Sequence, residues 1–333
     1  MKTSQTQLTT ILFFLHIFLF TFFPSNVSSD TSTSKSANAL ITWQKYLLPS
    51  TSLTTWSPNN IKNLCSWAGV TCHIGLYLTF LDLANNLFQN PIPSEIGNLN
   101  NIKYMSLFNN NLTNKIPNEI ANLKKIEVLD LGGNYLTTPS DWSKFNSLLM
   151  LTHLSLDLNE LTFQFPSFII NCIKLTHLVL SKNHLTGPIP YSISRLTNLQ
   201  HLDLRSNDFT STIPSQLGQC TNLKYLALAE NSLTGSLPLS LSNLKNIYEL
   251  GLSDNGLSGE IPSNFLPKWT NLISLQLQNN YFTGKIPSQI GLLKKLNVLF
   301  LNNNSFSGNL PNEIGNLQRL YNLDVSINQL SDP

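Results

Sequence analysis

The sequence predicts an α/β solenoid: a stack of short repeats with a parallel β-sheet on its concave face and short helical turns on its convex face. The frame LxxLxLxxNxL recurs eleven times, and between Asn86 and Asn328 its ten intervals average about 24 residues. Within each frame apolar and polar residues alternate, which is the period of a half-buried strand. Because one such unit cannot bury its apolar side alone, stacked neighbours must supply the core.

The N-terminus has the pattern of a secretory signal. Lys2 provides the positive start, Ile11 to Phe23 is an almost unbroken apolar run, and Val27 and Ser29 are small enough for the −3 and −1 positions of a cleavage site. We therefore predict a signal peptide over residues 1–29 and secretion of the mature chain. A membrane anchor is the alternative, although this run is shorter than the ~20 residues that span a bilayer.

Residues 30–77 are predicted to form an N-terminal cap. Leu40, Trp43 and Leu47 fall on one helical face, with Ser34 or Ser36 as the N-cap. Pro49 is the expected stop of this helix. The cap should shield the apolar flank of the first repeat.

Two cysteines of the cap, Cys65 and Cys72, lie seven residues apart in a tryptophan-rich stretch. In a secreted protein this spacing predicts a disulfide. The other two cysteines, Cys172 and Cys220, occupy equivalent positions two repeats apart. Two strand spacings are about 10 Å, too far for a disulfide, so we predict that both are unpaired and buried.

Residues 78–333 contain the eleven repeats, the last of them truncated. In the sixth repeat Leu199, Leu202 and Leu204 should point inward, with the polar residues between them pointing outward. The Asn that follows, here Asn207, can donate and accept hydrogen bonds to the backbone, so the stacked Asn residues should form a ladder. The ladder positions are Asn86, Asn110, Asn134, Asn159, Asn183, Asn207, Asn231, Asn255, Asn280, Asn304 and Asn328.

After the Asn, most repeats continue with a glycine, an apolar–proline pair and a helical segment. The glycine marks a tight bend that needs an unusual φ, and the proline stiffens an extended segment. The segment SxIGxLxxL, as at Ser288 to Leu296, closes the repeat with a short helical turn. The third repeat lacks these features and carries Trp142 and Phe145, which either contact a partner or cover the convex face.

These residues resemble the plant-specific class of extracellular leucine-rich repeats, whose motif is LxxLxLxxNxLxGxIPxxLGxLxx. The run from Cys65 to Cys72 resembles the CxWxGVxC cap signature of plant leucine-rich repeat receptor-like kinases. The resemblance covers nearly the whole mature chain. It implies a receptor ectodomain whose concave face binds a peptide or small hormone, joined by a co-receptor near the C-terminal repeats.

The chain departs from that family in three ways. It has no transmembrane helix after the repeats and no Gly-rich loop, VAIK, HRD or DFG motif of a kinase. It also stops at Asp332-Pro333 inside the eleventh repeat, where an uncapped flank is expected to fray or aggregate. We therefore predict the extracellular part only, with no enzyme activity, whereas full-length relatives would carry a Ser/Thr kinase. Membrane attachment would need a segment that this chain lacks.

Candidate ligand contacts occupy the outward strand positions. His153, His177 and His201 share one position in repeats four to six, and Tyr225 follows, so their rings should lie roughly 5 Å apart. Three interpretations remain open: a metal site, a ligand contact that responds to the acidic pH of the cell wall, or ordinary exposed residues. We favour a ligand contact over a metal site.

Exposed aromatic residues on a polar face are typical interaction anchors. Tyr104 and Phe108 in repeat two are candidates of this kind, whereas Phe80 in repeat one should pack against the cap. Asp203 and Arg205 lie on the same face. The class that reads a peptide C-terminus has an Arg-x-Arg pair, and in this chain Asn207 stands where the second Arg would be.

The outward carboxylates of the central column are Asp82, Asp130, Asp203 and Asp324. They sit one per strand, mostly two or more strands apart and open to water, so catalysis by paired carboxylates is not predicted. No motif for a cofactor is present, and none is predicted.

Asn111 and Asn303 each begin an N-x-S/T sequon and are predicted to carry N-glycans. The charged fraction of 11% and net charge of +2, with no basic run, exclude a nucleic-acid partner.

We predict an extracellular module, in the apoplast or at the plasma membrane, that recognises a peptide or protein. The alternative is a secreted inhibitor of cell-wall-degrading enzymes of the polygalacturonase-inhibitor kind. That family usually carries paired cysteines after its last repeat, and none occurs here after Cys220.

Overall fold

One long sheet, here called the main sheet, runs through all the repeats of the computed structural model, which describes residues 31–45, 47, 53–73 and 77–331. The predicted signal peptide and Pro49 lie outside these residues. Each repeat adds one parallel strand in register, so that His177 pairs with His153 on one side and His201 on the other. The twelve strands are Val70–Cys72, Leu78–Asp82, Tyr104–Ser106, Val128–Asp130, His153–Ser155, His177–Val179, His201–Asp203, Tyr225–Ala227, Glu249–Gly251, Ser274–Gln276, Val298–Phe300 and Asn322–Asp324.

The inward positions of the main sheet form the core, as the sequence predicts. Leu199, Leu202 and Leu204 are each fully buried. The outward positions form the face that the sequence predicts to be concave. Because the registers are unbroken, outward residues at equivalent positions line up in columns that cross the strands.

A second parallel sheet, which the sequence analysis described only as extended segments, follows the ladder Asn of each repeat. Eight of its strands form one sheet and three form another among the described residues. The strands are Gln89–Pro91, Asn111–Lys115 and Tyr135–Thr137, then Thr162–Gln164, His184–Pro188, Asp208–Thr212, Ser232–Gly235, Gly256–Gly259, Tyr281–Gly284, Ser305–Asn309 and Gln329–Ser331.

The second sheet breaks between the third and fourth repeats, where the sequence is irregular. Only an isolated bridge joins Thr137 to Glu160. Next to it the hydroxyl of Thr138 takes the place of the backbone, donating to the carbonyl of Thr162 at 3.0 Å and accepting from its N–H at 2.8 Å. The Thr138 side chain therefore satisfies the backbone N–H and C=O of Thr162, which an unbroken sheet would pair with a neighbouring strand.

Short 3₁₀ helices close the repeats, as the helical segments predict. Most begin directly after the proline of the apolar–proline pair, and most bury one Ile, Leu or Phe against the core. The helices are Pro58–Ser66, Ser94–Asn98, Asn118–Asn122, Trp142–Ser147, Ser167–Asn171, Tyr191–Arg195, Ser215–Gln219, Leu239–Asn243, Leu266–Lys268, Ser288–Leu292 and Asn312–Asn316.

The cap helix spans Thr31–Gln44, and Leu40, Trp43 and Leu47 are buried as predicted. The predicted N-cap is wrong, because Ser34 and Ser36 lie inside the helix. Ser36 is itself buried on the same side as Leu40, so packing extends the helix beyond the local capping signal.

The predicted disulfide joins Cys65 to Cys72, with 5.4 Å between their Cα atoms. It lies where the first strand, Val70–Cys72, pairs antiparallel with the strand of repeat one. Cys172 and Cys220 are free and buried, which confirms the prediction for this pair.

The asparagine ladder links each repeat to the one before it. Asn207 donates through Nδ2 to the carbonyls of Leu204 in its own turn and Leu180 in the preceding repeat, at 3.1 and 3.0 Å. Its Oδ1 accepts from the N–H of Leu185 at 3.0 Å. One buried amide thus satisfies three backbone groups and fixes the spacing of two repeats.

Trp142 covers the convex side of the irregular third repeat. Its ring lies 5.2 Å from that of Phe145 and 5.3 Å from that of Phe168, between ring centroids, and it is partly buried against the core. These aromatic residues fill the space that aliphatic residues fill in regular repeats. No helix in the described ranges is long and apolar enough to cross a membrane.

Candidate ligand-binding face

Four outward side chains of repeats four to seven form a continuous column of rings, here called the ring stack: His153, His177, His201 and Tyr225. Successive ring centroids are 4.3, 5.7 and 4.1 Å apart, and the planes deviate from parallel by no more than 19°. The prediction of rings roughly 5 Å apart is confirmed. Since the faces of the inner rings are covered by their neighbours, a ligand meets the ring edges.

Neighbouring threonines set the tautomers of two of these histidines. The Thr152 hydroxyl donates to the carbonyl of Glu127 at 2.9 Å, so it can only accept from Nδ1 of His153, also at 2.9 Å. Thr176 acts in the same way on His177. In the neutral form each proton therefore lies on Nδ1, and Nε2 is a hydrogen-bond acceptor.

Burial disfavours the charged form of the histidines in the ring stack. Burial lowers the pKa of His153, and burial followed by the nearby His153 and Lys224 lowers the pKa of His177 to about 4. Burial, with His177 and Arg205 close by, lowers the pKa of His201 to about 3. These shifts argue against the interpretation of the histidines as sensors of mild acidity, because packed rings lose the water that stabilises the cation.

Two predicted contacts are far less exposed than expected. Asp203 is 3% exposed and Tyr225 is 5% exposed, although both occupy outward positions. Arg205 covers Asp203 and donates to its carboxylate through Nε and Nη2, at 2.9 to 3.2 Å. The prediction that the Asp203 carboxylate is open to water is wrong, because the side chain of Arg205, two residues away in the same repeat, closes over it.

At the other end of the face, Tyr104 stacks on Phe80 with centroids 4.2 Å apart and planes 10° from parallel. Burial, followed by the charges of Asp82 and Asp130, raises the pKa of Tyr104 to about 12. Phe80 also lies opposite Thr71 of the cap strand, as expected from its place beside the cap. Phe108 remains exposed at 37%.

Between these two ends lies a feature that the sequence pattern did not predict. Gly132 and Gly133 follow each other at outward positions of repeat three, and Asp157 of the next repeat places its carboxylate over Gly132, where any side chain would collide with it. Asp130 accepts from the N–H of the same glycine at 3.1 Å. The ring of Phe108 lies 3.5 Å from where a Gly133 Cβ would be. We call these five residues the glycine recess.

The surroundings of the two carboxylates of the glycine recess disfavour their charged forms. Burial, followed by the neighbouring Asp157, raises the pKa of Asp130 to about 7. Burial also raises the pKa of Asp157. Neither carboxylate forms a direct ion pair among the described residues. The positive charges of Lys182 and Arg205 nevertheless lower the pKa of Asp157 and partly offset the effect of its burial.

The only sequence signal for the recess is the Gly-Gly pair of repeat three followed one repeat later by an outward Asp. Within the described ranges no group of three or more His, Cys, Asp and Glu side chains is arranged to hold a metal ion.

Family models place the chain among repeat proteins. A model described as "Leucine rich repeat" matches residues 149–209 and 198–257, and a second with the same description matches residues 77–99, 101–123, 271–293 and 295–317. Together they account for more than half of the chain. A curated relative, the "Leucine-rich repeat receptor protein kinase EMS1" of Arabidopsis thaliana, is 36% identical over 91 residues, which is 27% of this chain and 8% of that protein.

Solved structures give the same fold. The leucine-rich repeat ectodomain of the Arabidopsis receptor kinase HAESA, in complex with an extended IDA peptide hormone, is 32% identical over 90% of this chain and 50% of its own, with a TM-score of 0.81. HAESA with IDA and the co-receptor SERK1 is 31% identical over 89% of this chain and 54% of its own, with a TM-score of 0.75. The chain thus spans about half the length of these ectodomains, and the similarity shows the fold of a plant receptor ectodomain.

Proposed function

Because this chain belongs to the leucine-rich repeat proteins and has the fold of plant receptor ectodomains, we propose that it is the extracellular recognition module of a receptor-like protein or receptor kinase. It would bind a peptide or protein on the outward face of the main sheet. The observation that carries the proposal is two groups of stacked rings in one column of that face: Phe80 with Tyr104, and the ring stack. Val128 separates the two groups. The proposed contacts are Tyr104, Phe108, His153, His177, His201, Asp203, Arg205 and Tyr225.

The proposed contacts differ in exposure, so we assign direct contact with the ligand to the more exposed residues and positioning to the buried ones. The half-buried histidines and Tyr104 present ring edges to a ligand, and His153 also presents an Nε2 acceptor. Asp203 and Tyr225 are buried, so we propose that they position His201 and Arg205 beside them. Preorganised rings suit a binding face because little side-chain entropy is lost when a ligand docks.

We further propose secretion into the apoplast after removal of residues 1–29, attachment to the plasma membrane through a further segment, and a leucine-rich repeat co-receptor as a second partner. The support for the co-receptor is the similar HAESA complex, which contains the co-receptor SERK1. The similar proteins reported above are receptors, so we do not retain the inhibitor of wall-degrading enzymes as an alternative.

Selection from a displayed library of random dodecapeptides tests the proposal, with the secreted chain as target. Peptides that bind should lose about tenfold or more in affinity, roughly 1.4 kcal/mol, when Tyr104→Ala or His201→Ala is introduced. Tyr191→Ala is the matched control, since Tyr191 is 71% exposed on a 3₁₀ helix away from the main sheet. Failure to select any peptide, or equal sensitivity to Tyr191→Ala, would contradict the proposal.

A further inference from the structure

In repeats two to eleven a two-residue turn, here called the edge turn, joins each 3₁₀ helix to the next strand of the main sheet. Because the strands are parallel and in register, the edge turns lie side by side along the edge of the main sheet where its strands begin. The edge turns are 100–101, 124–125, 149–150, 173–174, 197–198, 221–222, 245–246, 270–271, 294–295 and 318–319.

The edge turns of repeats four and five depart from the others. Eight edge turns consist of polar residues alone, whereas these two contain Leu149, Met150 and Ile173. The three side chains are 51, 44 and 53% exposed. The fold does not require apolar residues here, because the same positions carry Asn, Thr, Lys, Gln or Arg in the other repeats. Neighbouring apolar side chains that remain exposed are typical of a surface that meets a partner.

These apolar side chains border a single groove of about 410 Å³. Asn146 and Asn171, at the ends of two consecutive 3₁₀ helices, also line it. The Nδ2 of Asn171 donates to Oδ1 of Asn146 at 2.9 Å, so a hydrogen bond between repeats ties the two sides together. A partner would therefore meet a surface that is already formed, which lowers the entropic cost of binding.

The groove is also positively charged. Lys174 and Arg195 line it, and none of its described lining residues is acidic. Lys174 donates to Sδ of Met150 at 3.1 Å, and a thioether is a weak, uncharged acceptor. Among the residues that the structure describes, neither Lys174 nor Arg195 forms an ion pair.

Positive charge continues along the whole row of edge turns. Seven of their twenty residues are Lys or Arg and none is Asp or Glu, although the full chain is nearly balanced, with 20 basic and 18 acidic residues. Lys125 and Lys295 donate to the amide oxygens of Asn101 and Asn271, which carry no charge. Such a row attracts an acidic partner and orients its approach.

We propose that the groove binds a segment of a partner protein that presents an apolar side chain with aspartate or glutamate beside it. The apolar side chain lies against Leu149, Met150 and Ile173. The carboxylates pair with Lys174 and Arg195 at the rim. This inference goes beyond the proposed function, because the groove is separate from the outward columns and needs no ligand on them.

The apolar side chains favour a protein over an acidic polysaccharide. A polyanion would engage the basic row along its whole length and would gain nothing from Leu149 or Ile173. An apolar centre with a charged rim is instead the usual arrangement of a protein interface, in which Met and Arg are enriched.

The test selects displayed random dodecapeptides that bind the intact chain and not a variant with Leu149→Thr, Met150→Asn and Ile173→Thr. These replacements occur at equivalent positions of repeat six, so the variant should fold. Selected peptides should carry Asp or Glu beside an apolar residue. Lys174→Glu with Arg195→Glu should weaken their binding about tenfold or more, and lysine in place of the peptide's acidic residues should restore it.

Lys294→Glu with Lys295→Glu is the matched control, because it makes the same change of charge on an edge turn without apolar residues. It should leave peptide affinity within about twofold, as should Tyr104→Ala on the outward face. Thermal unfolding should show that every variant is folded.

Three results would overturn the inference. One is that no peptide distinguishes the intact chain from the variant without apolar residues. Another is an equal loss for both charge-reversed variants, with binding of polygalacturonate, which would assign the row to polyanions. The third is self-association in sedimentation velocity that the apolar replacements abolish, which would assign the groove to a second copy of this chain. Each would leave the proposed function standing, since that depends on Tyr104 and His201.

Discussion

At the scale of single residues, the ladder asparagine carries the most concentrated set of contacts. Asn183 donates to the carbonyls of Leu156 and Leu180 at 2.9 and 3.1 Å, and its Oδ1 accepts from the N–H of Leu161 at 3.0 Å. Asn183→Leu would leave these buried backbone groups unsatisfied. We expect a loss of about 2–4 kcal/mol in the free energy of unfolding, measured by urea denaturation.

The control for this substitution is Asn198→Leu. Asn198 is exposed in its contact and donates only to the carbonyl of Ile173, at 2.9 Å. Its replacement should change stability by no more than about 0.5 kcal/mol. Equal losses for the two variants would show that burial of the ladder does not matter.

Asp130 gives a prediction about pH. Its folded pKa of about 7 lies above its ordinary value of 3.8, so between these values the folded state holds more protons than the unfolded state. The contribution of Asp130 to the free energy of unfolding therefore falls as pH rises from about 4 to 7. Asp130→Asn should raise the stability at pH 7.5 by on the order of 1 kcal/mol and leave it nearly unchanged at pH 4.

Thermal melting of both proteins at the two pH values would check this. The control, Asp324→Asn, replaces a carboxyl whose pKa is lowered by hydrogen bonds from Ser326, so it should give no gain at pH 7.5. A gain of the same size at pH 4 would mean that the benefit comes from packing and not from the charge.

For His201 we predict the opposite pH dependence of its contribution to stability. Burial lowers its pKa from 6.5 to about 3, so below pH 6.5 the unfolded state takes up a proton that the folded state does not. This part of the stability is complete above pH 6.5 and is lost as pH falls. His201→Gln should therefore narrow the difference in melting temperature between pH 7.5 and 4.5. His184→Gln is the control, because His184 is an exposed residue of an inner strand of the second sheet. An equal narrowing for His184→Gln would refute the assignment to burial.

At the scale of elements, nine of the eleven described strands of the second sheet contain one residue with a left-handed φ. Glycine fills this position in many repeats, as with Gly187 at φ 75°, but repeat four places Phe163 there at φ 70° with 71% exposure. A large side chain in this region costs on the order of 1 kcal/mol. Phe163→Gly should therefore keep or raise stability, by up to about 1 kcal/mol, in spite of the lost aromatic ring.

Phe165, two residues further along, is the comparison. It is only 7% exposed and packs in the core, so Phe165→Ala should cost about 3–5 kcal/mol. Urea denaturation of the pair would separate a strained surface residue from a packed one. A loss above 1 kcal/mol for Phe163→Gly would show that its ring contributes to the fold.

At the scale of the whole molecule, the predicted glycans would leave the ring stack open. Asn111 lies in the second sheet of repeat two, and Asn303 is exposed beside the ladder Asn of repeat ten. Both are outside repeats four to seven, which hold the ring stack. We expect one glycan at each site in plant-expressed protein, and Asn111→Gln or Asn303→Gln should remove one glycan mass without changing peptide binding. Asn302→Gln is the control, and unmodified peptides at both sequons would contradict the prediction.

The amino-acid sequence by itself determined the repeat, the inward leucines, the asparagine ladder and the column of His153, His177, His201 and Tyr225. These features depend on alternation within a strand and on a fixed repeat length, so equivalent residues must line up. Local spacing likewise was enough to place the Cys65–Cys72 disulfide.

Only the tertiary structure decided how outward residues are buried. Whether Asp203 meets water depends on Arg205, and whether His201 can hold a proton depends on the rings of adjacent repeats. The glycine recess likewise needs Asp157 of one repeat to lie over Gly132 of another. Burial and charge compensation are sums over neighbours from several repeats, and a pattern read along one strand does not contain them.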